Sequence, residues 1–168
     1  QLSGDIVRAL MDGIADVGVF AEGPSTSGLL TKIMGSDQLV VVCSRSHPLS
    51  KRSSITFDEC LQHEFVGLNR GSSLLELTSR SAEKLGKQIR LRIQVRSYDA
   101  MCQMIAVNLG IGILPLQACE PQISAMNLKV IRLDEPWAKR NLLLAVKADI
   151  NQSPPSVLLS EHLLNKKD

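Results

Sequence analysis

Apolar residues recur at helical spacing at Ile6, Val7, Leu10, Met11 and Ile14, and the apolar stretch that follows, Val17-Gly18-Val19-Phe20, is short and continuous like a buried strand. The pattern predicts a helix feeding a strand. Gly23-Pro24-Ser25-Thr26-Ser27-Gly28 has the composition of a loop. Residues 29–34 and 39–43 are expected to be two strands, the second uninterrupted enough for the centre of a sheet. His47-Pro48-Leu49 breaks that strand, residues 56–61 have the form of a short capped helix, and residues 64–69 form the next strand. A helix is predicted from Ser72 to about Leu85 with a stop at Gly86, and residues 89–95 then alternate strictly, as in a strand with one face in water. Ser97 caps an amphipathic helix that stops at Gly110; a short strand over 111–114 follows, and Pro115 opens another helix. Strands over 128–133 and 141–146 and a last helix over 157–164 complete the pattern. The alternation implies a mostly parallel sheet with crossover helices.

With 168 residues, 44% of them apolar, the chain can form one medium domain or two small lobes around a real core. Aromatic residues make up only 3%, so that core rests on Leu, Ile, Val and Met, and stacking platforms for single-stranded nucleic acid are not expected. A formal charge of +2 is far from the basic stripe of a module that grips phosphate backbones by itself. Cys43, Cys60, Cys102 and Cys119 contain no Cys-x-x-Cys pairing and are expected to be reduced, mostly buried thiols. No apolar run approaches the roughly 18 residues of a membrane span, and the N-terminus does not resemble a signal peptide.

Catalytic signatures are missing. There is no Gly-x-Ser-x-Gly elbow, no phosphate loop, no His-Glu-x-x-His and no carboxylate pair placed for acid/base work. His47, His63 and His162 have no metal-ligand spacing, and Leu109-Gly110-Ile111-Gly112-Ile113 lacks the third glycine of a dinucleotide fingerprint and follows a helix. Two capped helix starts separated by one strand suit the binding of a small anion better than covalent chemistry. The expectation is a binding module that is not an enzyme and needs no cofactor or metal.

Three passages carry a family resemblance. They are Leu10-Met11-Asp12-Gly13-Ile14-Ala15-Asp16-Val17-Gly18-Val19, the strand Leu39-Val40-Val41-Val42-Cys43 running on to His47-Pro48-Leu49, and Met104-Ile105-Ala106-Val107-Asn108-Leu109-Gly110-Ile111-Gly112-Ile113-Leu114-Pro115. In this order they resemble the effector-binding domain of LysR-type transcriptional regulators, and the resemblance spans nearly the whole chain. It implies an α/β, two-lobed fold like that of type 2 periplasmic binding proteins. Lobe I would comprise residues 1–63 and 141–168 and lobe II residues 64–140. The winged helix-turn-helix, the first strand and much of the first helix of lobe I would be absent from this chain. The resemblance further implies a small metabolite between the lobes, DNA held only through the absent N-terminal domain, a homodimer or homotetramer, and a cytoplasmic, membrane-free location. A solute-binding protein feeding a transporter has the same fold and is the alternative.

In open α/β sheets ligands sit beyond the carboxyl ends of strands. That rule selects the corners Phe20-Ala21-Glu22, Asn69-Arg70-Gly71-Ser72-Ser73, Val95-Arg96-Ser97-Tyr98 and Leu114-Pro115-Leu116, and within them Phe20, Ala21, Arg70, Gly71, Ser72, Ser73, Ser97, Tyr98 and Pro115 are the effector-binding candidates. Ser72 and Ser73 offer hydroxyls and free N–H groups, and Arg70 offers a guanidinium; a plain N-cap beside a solvated arginine accounts for the same residues. Ser97 faces the same pair of readings. Tyr98 would line the pocket or cover its own lobe, Phe20 would close the pocket or fill a core, and Pro115 would chiefly set a helix start. With Arg70 beside the two helix termini, the expected ligand is an organic acid or another anion.

Overall fold

The computed structural model describes residues 3–148 and 162. The chain forms two compact units, Gln1–Ser36 with Arg140–Asp168, and Asp37–Lys139. In chain order the elements are α1 (Ser3–Met11), β1 (Val17–Ala21), β2 (Leu29–Cys43), β3 (Ser54–Ile55), α2 (Phe57–Cys60), β4 (Glu64–Leu68), α3 (Ser73–Lys84), β5 (Arg90–Val95), α4 (Tyr98–Ala106), β6 (Gly112–Pro115), α5 (Leu116–Ala125), β7 (Lys129–Leu133) and β8 (Lys139–Lys147). Of the helix expected over 157–164, all but His162 lies outside the described residues.

The discontinuous unit is small. β1 pairs antiparallel with β8 from Val17 opposite Val146 to Ala21 opposite Leu142. α1 covers this ladder and encloses a core of Leu10, Phe20, Leu143 and Ala145, with Ile6, Val7, Ala15 and Leu29 packed against it.

The continuous unit holds the larger core. The second half of β2 runs antiparallel to both β6 and β7, β3 is parallel to β7, and β4 is parallel to β5. A parallel bridge from Phe65 to Ile111, the residue before β6, joins β4 to this arrangement. β3, β4, β5, β6 and β7 therefore point one way and β2 opposes them. The expected parallel sheet holds for those five strands, whereas β1–β8 and the ladders of β2 with β6 and β7 are antiparallel. Leu39, Val40, Val41, Val42 and Cys43 are all buried, as befits a strand covered on both faces. Burial at about 1.5–3 kcal/mol for each large apolar side chain makes this stretch the anchor of the unit. The ends of the unit are tied together, since Gln38 Nε2 donates to the Ala138 carbonyl at 3.4 Å.

Odd and even positions divide two cores. Leu39, Val41, Phe65, Ile111, Ile113 and Ile131 face α2 and α3 with Phe57, Leu74 and Ala82. Val40, Val42, Val66, Leu68 and Leu114 face α4 and α5 with Met101, Cys102, Ile105, Cys119 and Ile123.

Local chemistry sets most boundaries. Thr56 and Glu59 form a capping box at α2, and Ser72 and Ser97 cap α3 and α4. Two details differ from the sequence pattern. Residues 29–43 are one 15-residue strand instead of two. The second is that α4 ends at Ala106, with the left-handed turn made by Asn108 at φ 59°. Gly110 serves another purpose: at φ 153°, a Cβ there would lie 2.6 Å from the Glu64 carbonyl oxygen, so only glycine lets this loop meet the start of β4. The compact units divide between Ser36 and Asp37 and between Lys139 and Arg140; the resemblance implies lobe junctions at 63/64 and 140/141.

The four cysteines are free and buried. Burial pushes the thiol of Cys43 up to about 11 and that of Cys60 up to about 12, so both stay protonated and inert. Among the described residues, no helix is long and apolar enough to cross a membrane, and no group of three or more His, Cys, Asp or Glu side chains could hold a metal ion.

Candidate functional site

The site is built by the parallel pairing of β4 and β5. Leu68 lies opposite Val95, and the Asn69 N–H donates to the Val95 carbonyl at 2.9 Å, so both strands finish at one edge. Each then turns into a helix. After β4, Gly71 takes φ 86°, a left-handed turn that suits glycine, and Ser72 begins α3. The buried Ser72 Oγ accepts from the Leu75 N–H at 3.4 Å. After β5, Ser97 begins α4, its exposed Oγ accepting from the Ala100 N–H at 3.2 Å.

Two helix N-termini thus stand side by side, each presenting the positive end of its dipole. α3 and α4 leave toward opposite faces of the sheet, because one packs into the core with Phe65 and Ile113 and the other into the core with Val66 and Leu68. The end of β4 is therefore a topological switch point, the place where open α/β sheets leave a crevice for ligands. The end of β6 joins the same edge: the Ile111 N–H donates to Glu64 O at 2.9 Å and the Val66 N–H to Ile111 O at 2.8 Å, which makes β6 run alongside β4 toward Pro115. Pro115 precedes α5 without a side-chain cap.

Of the residues expected from sequence, Arg70, Gly71, Ser72, Ser73, Ser97 and Tyr98 are brought to this edge by the β4–β5 register, and Pro115 ends a co-directional strand. Tyr98 is half-buried and packs against both cores. Phe20 and Ala21 belong to β1 in the discontinuous unit. There Phe20 is buried with Leu10, Leu143 and Ala145, and Ala21 is half-buried opposite Leu142. Arg96, which the strand-end rule places in the same corner as Ser97 without naming it a contact, stands at the edge as well, directly after Val95.

Behind the corner, the thiols of Cys102 on α4 and Cys119 on α5 hydrogen-bond to each other. That bond holds Cys102 below the usual thiol range and, together with burial, pushes Cys119 above it. The pair is interior packing and lines no part of the edge.

Against known proteins, the family description "LysR substrate binding domain" matches residues 1–167. The chain belongs to that family. Two solved structures of similar shape are the effector binding domain of QuiR in complex with shikimate and the regulatory domain of Synechocystis PCC6803 CcmR in complex with 2-PG. The QuiR domain superposes with a TM-score of 0.86 at 22% identity, over 98% of this chain and 77% of that one. For the CcmR domain the TM-score is 0.88 at 22% identity, over 98% and 79%. The α/β, two-lobed periplasmic-binding-protein-like class expected from sequence is thereby borne out. A curated relative, the "Probable nitrogen assimilation transcriptional activator" of Synechococcus elongatus, is 20% identical over 152 residues, covering 89% of this chain and 49% of its own length. The LysR substrate-binding domain described here spans about half the length of the curated relatives it matches.

Proposed function

We propose that this LysR domain is the effector-sensing part of a DNA-binding transcriptional regulator and that its effector is a small anion, of the organic-acid kind, held at the carboxyl ends of β4 and β5. The observation that carries the reading is the Asn69–Val95 hydrogen bond, which sets two serine-capped helix starts at one edge. The named relatives are regulators, and the QuiR and CcmR domains, of the same fold, were solved with shikimate and 2-PG, which supports a small-molecule effector. Nothing among them favours a transporter's solute-binding protein. In this proposal the two compact units are the two lobes, DNA is held only through an N-terminal domain outside this chain, and the whole protein is a cytoplasmic homodimer or homotetramer with no catalytic activity.

Binding acts by shifting a population. Moving a switch from 1:99 to 99:1 takes a differential of about 5.5 kcal/mol between its states, within reach of a ligand of micromolar affinity, which binds with about 8 kcal/mol.

The test is calorimetric titration of the domain with a panel of organic acids, repeated on Ser72→Ala and Ser97→Ala. Each variant should bind the best acid weaker by about 1 kcal/mol or more, while losing no more than a cap's worth of stability, about 1 kcal/mol. Unchanged affinity in both would remove this edge as the site.

A further inference from the structure

Four arginines mark the β4–β5 pair, two toward each end. Toward the amino end, Arg92 Nη1 donates to Glu64 Oε2 at 2.9 Å and Arg90 Nη1 reaches the Gln62 carbonyl at 3.5 Å. Both cations there have a protein partner. At the carboxyl end, Arg70 and Arg96 are exposed, and neither makes an ion pair or hydrogen bond among the described residues. The Asn69–Val95 bond brings their backbones together on neighbouring strand extensions. The carboxylates of the adjoining first helical turns are Glu76 and Asp99. Asp99 Oδ2 already accepts from Gln103 Nε2 at 3.0 Å.

Two cations carried on adjoining strand extensions, with no ion pair among the described residues, raise the positive potential of this edge, and a single negative charge can answer only one of them. A phosphate group or a pair of carboxylates answers both, with the forked N–H geometry that guanidinium offers to such oxygens. We propose that Arg70 and Arg96 act as a pair on the bound effector and make the site selective for doubly charged anions over singly charged ones. This inference rests on the carboxyl edge being the effector site. It adds a rule for which anions enter, and it assigns Arg96 a specificity role.

Inorganic phosphate, succinate and acetate are titrated at constant ionic strength into the domain, and into Arg70→Gln, Arg96→Gln, Ser72→Ala and Ser97→Ala, followed by amide chemical shifts. Phosphate or succinate should bind the wild-type domain about tenfold tighter than acetate, and either arginine variant should erase that preference while leaving acetate nearly unchanged. Preference for phosphate identifies a phosphoryl ligand, and preference for succinate a dicarboxylate. Neither dianion exceeding acetate, or both arginine variants keeping the wild-type preference, overturns the pairing. If the serine variants still weaken all three anions in that case, the edge stands as the site and only its charge rule falls. Should none of the four substitutions alter binding, the site falls with it. The arginines are exposed, so these variants should keep the wild-type Tm, which separates lost binding from lost folding.

Discussion

The β4–β5 pair ends in two different ways. At its amino end the pairings are made within the chain: Glu64 takes Arg92, Asp58 takes Lys87, the Glu64 carbonyl accepts from Ile111, and Gly110 comes close against that carbonyl. Nearby, His47 and His63 stack edge to face at 5.1 Å. At the carboxyl end the same two strands stop against helix N-termini whose cap hydroxyls accept from Leu75 N–H and Ala100 N–H, and two arginines face water. The two ends differ in how much of their hydrogen-bonding and charge capacity the protein keeps for itself. A finished end serves stability, and an unfinished one has capacity left for a ligand.

The contrast can be broken most forcefully at Gly110. An added methyl meets backbone that cannot swing away, and the positive φ adds strain, so Gly110→Ala should cost about 3 kcal/mol in denaturant unfolding. A loss below about 1 kcal/mol would mean that the amino end is looser than its geometry states.

Acid should act at that end too, more weakly. His47 Nδ1 accepts from the Leu49 N–H at 3.2 Å, which requires the neutral ring, and burial, with the charge of His63 second, holds its pKa below the ordinary histidine value. The folded state thus binds fewer protons than the unfolded chain in the window between the two pKa values. Its contribution to stability is present above the unfolded value of about 6.5 and is lost as the pH falls through the folded one. Because the ring is half-exposed, the loss should be under about 1 kcal/mol, read as a drop in Tm between about pH 7.5 and 5.5. His47→Asn, which keeps an acceptor that does not titrate, should flatten this part of the profile. An unchanged profile would detach His47 from the acid response.

The smallest effect is expected at Glu64. Its pair with Arg92 is solvent-exposed, so Glu64→Gln should cost no more than about 0.5 kcal/mol and leave anion binding untouched. A change in anion affinity would show that the two ends communicate.

The helices of the site were legible from residue chemistry: Ser72 and Ser97 precede apolar runs at helical spacing, and Gly86 closes α3 at φ 67°. What decides the site was not. The register that sets Leu68 against Val95 includes an irregularity between Phe65 and Val66, and nothing local announces it. The polar stretch Gly35-Ser36-Asp37-Gln38 looked like a break between strands, yet β2 passes straight through it, with Asp37 buried. Gly110 looked like a helix stop, since a glycine's need for space against a distant carbonyl leaves no trace in its neighbours. His47 and His63 meet only because the ends of β2 and α2 do.

The nesting of one unit inside the other also orders the chain's assembly during synthesis. Every partner of Leu39–Val42 is available once Arg132 has emerged, so the Asp37–Lys139 unit can complete its sheet while the chain is still growing. β1 is made early but waits for Leu142–Val146. When the inner unit folds, the Gln38–Ala138 bond brings its two ends together, and most of the loop that separates β1 from β8 is closed before they pair. A substitution that slows the inner unit should therefore leave the outer strands exposed for longer, and the yield of correctly folded domain would fall more than the equilibrium stability.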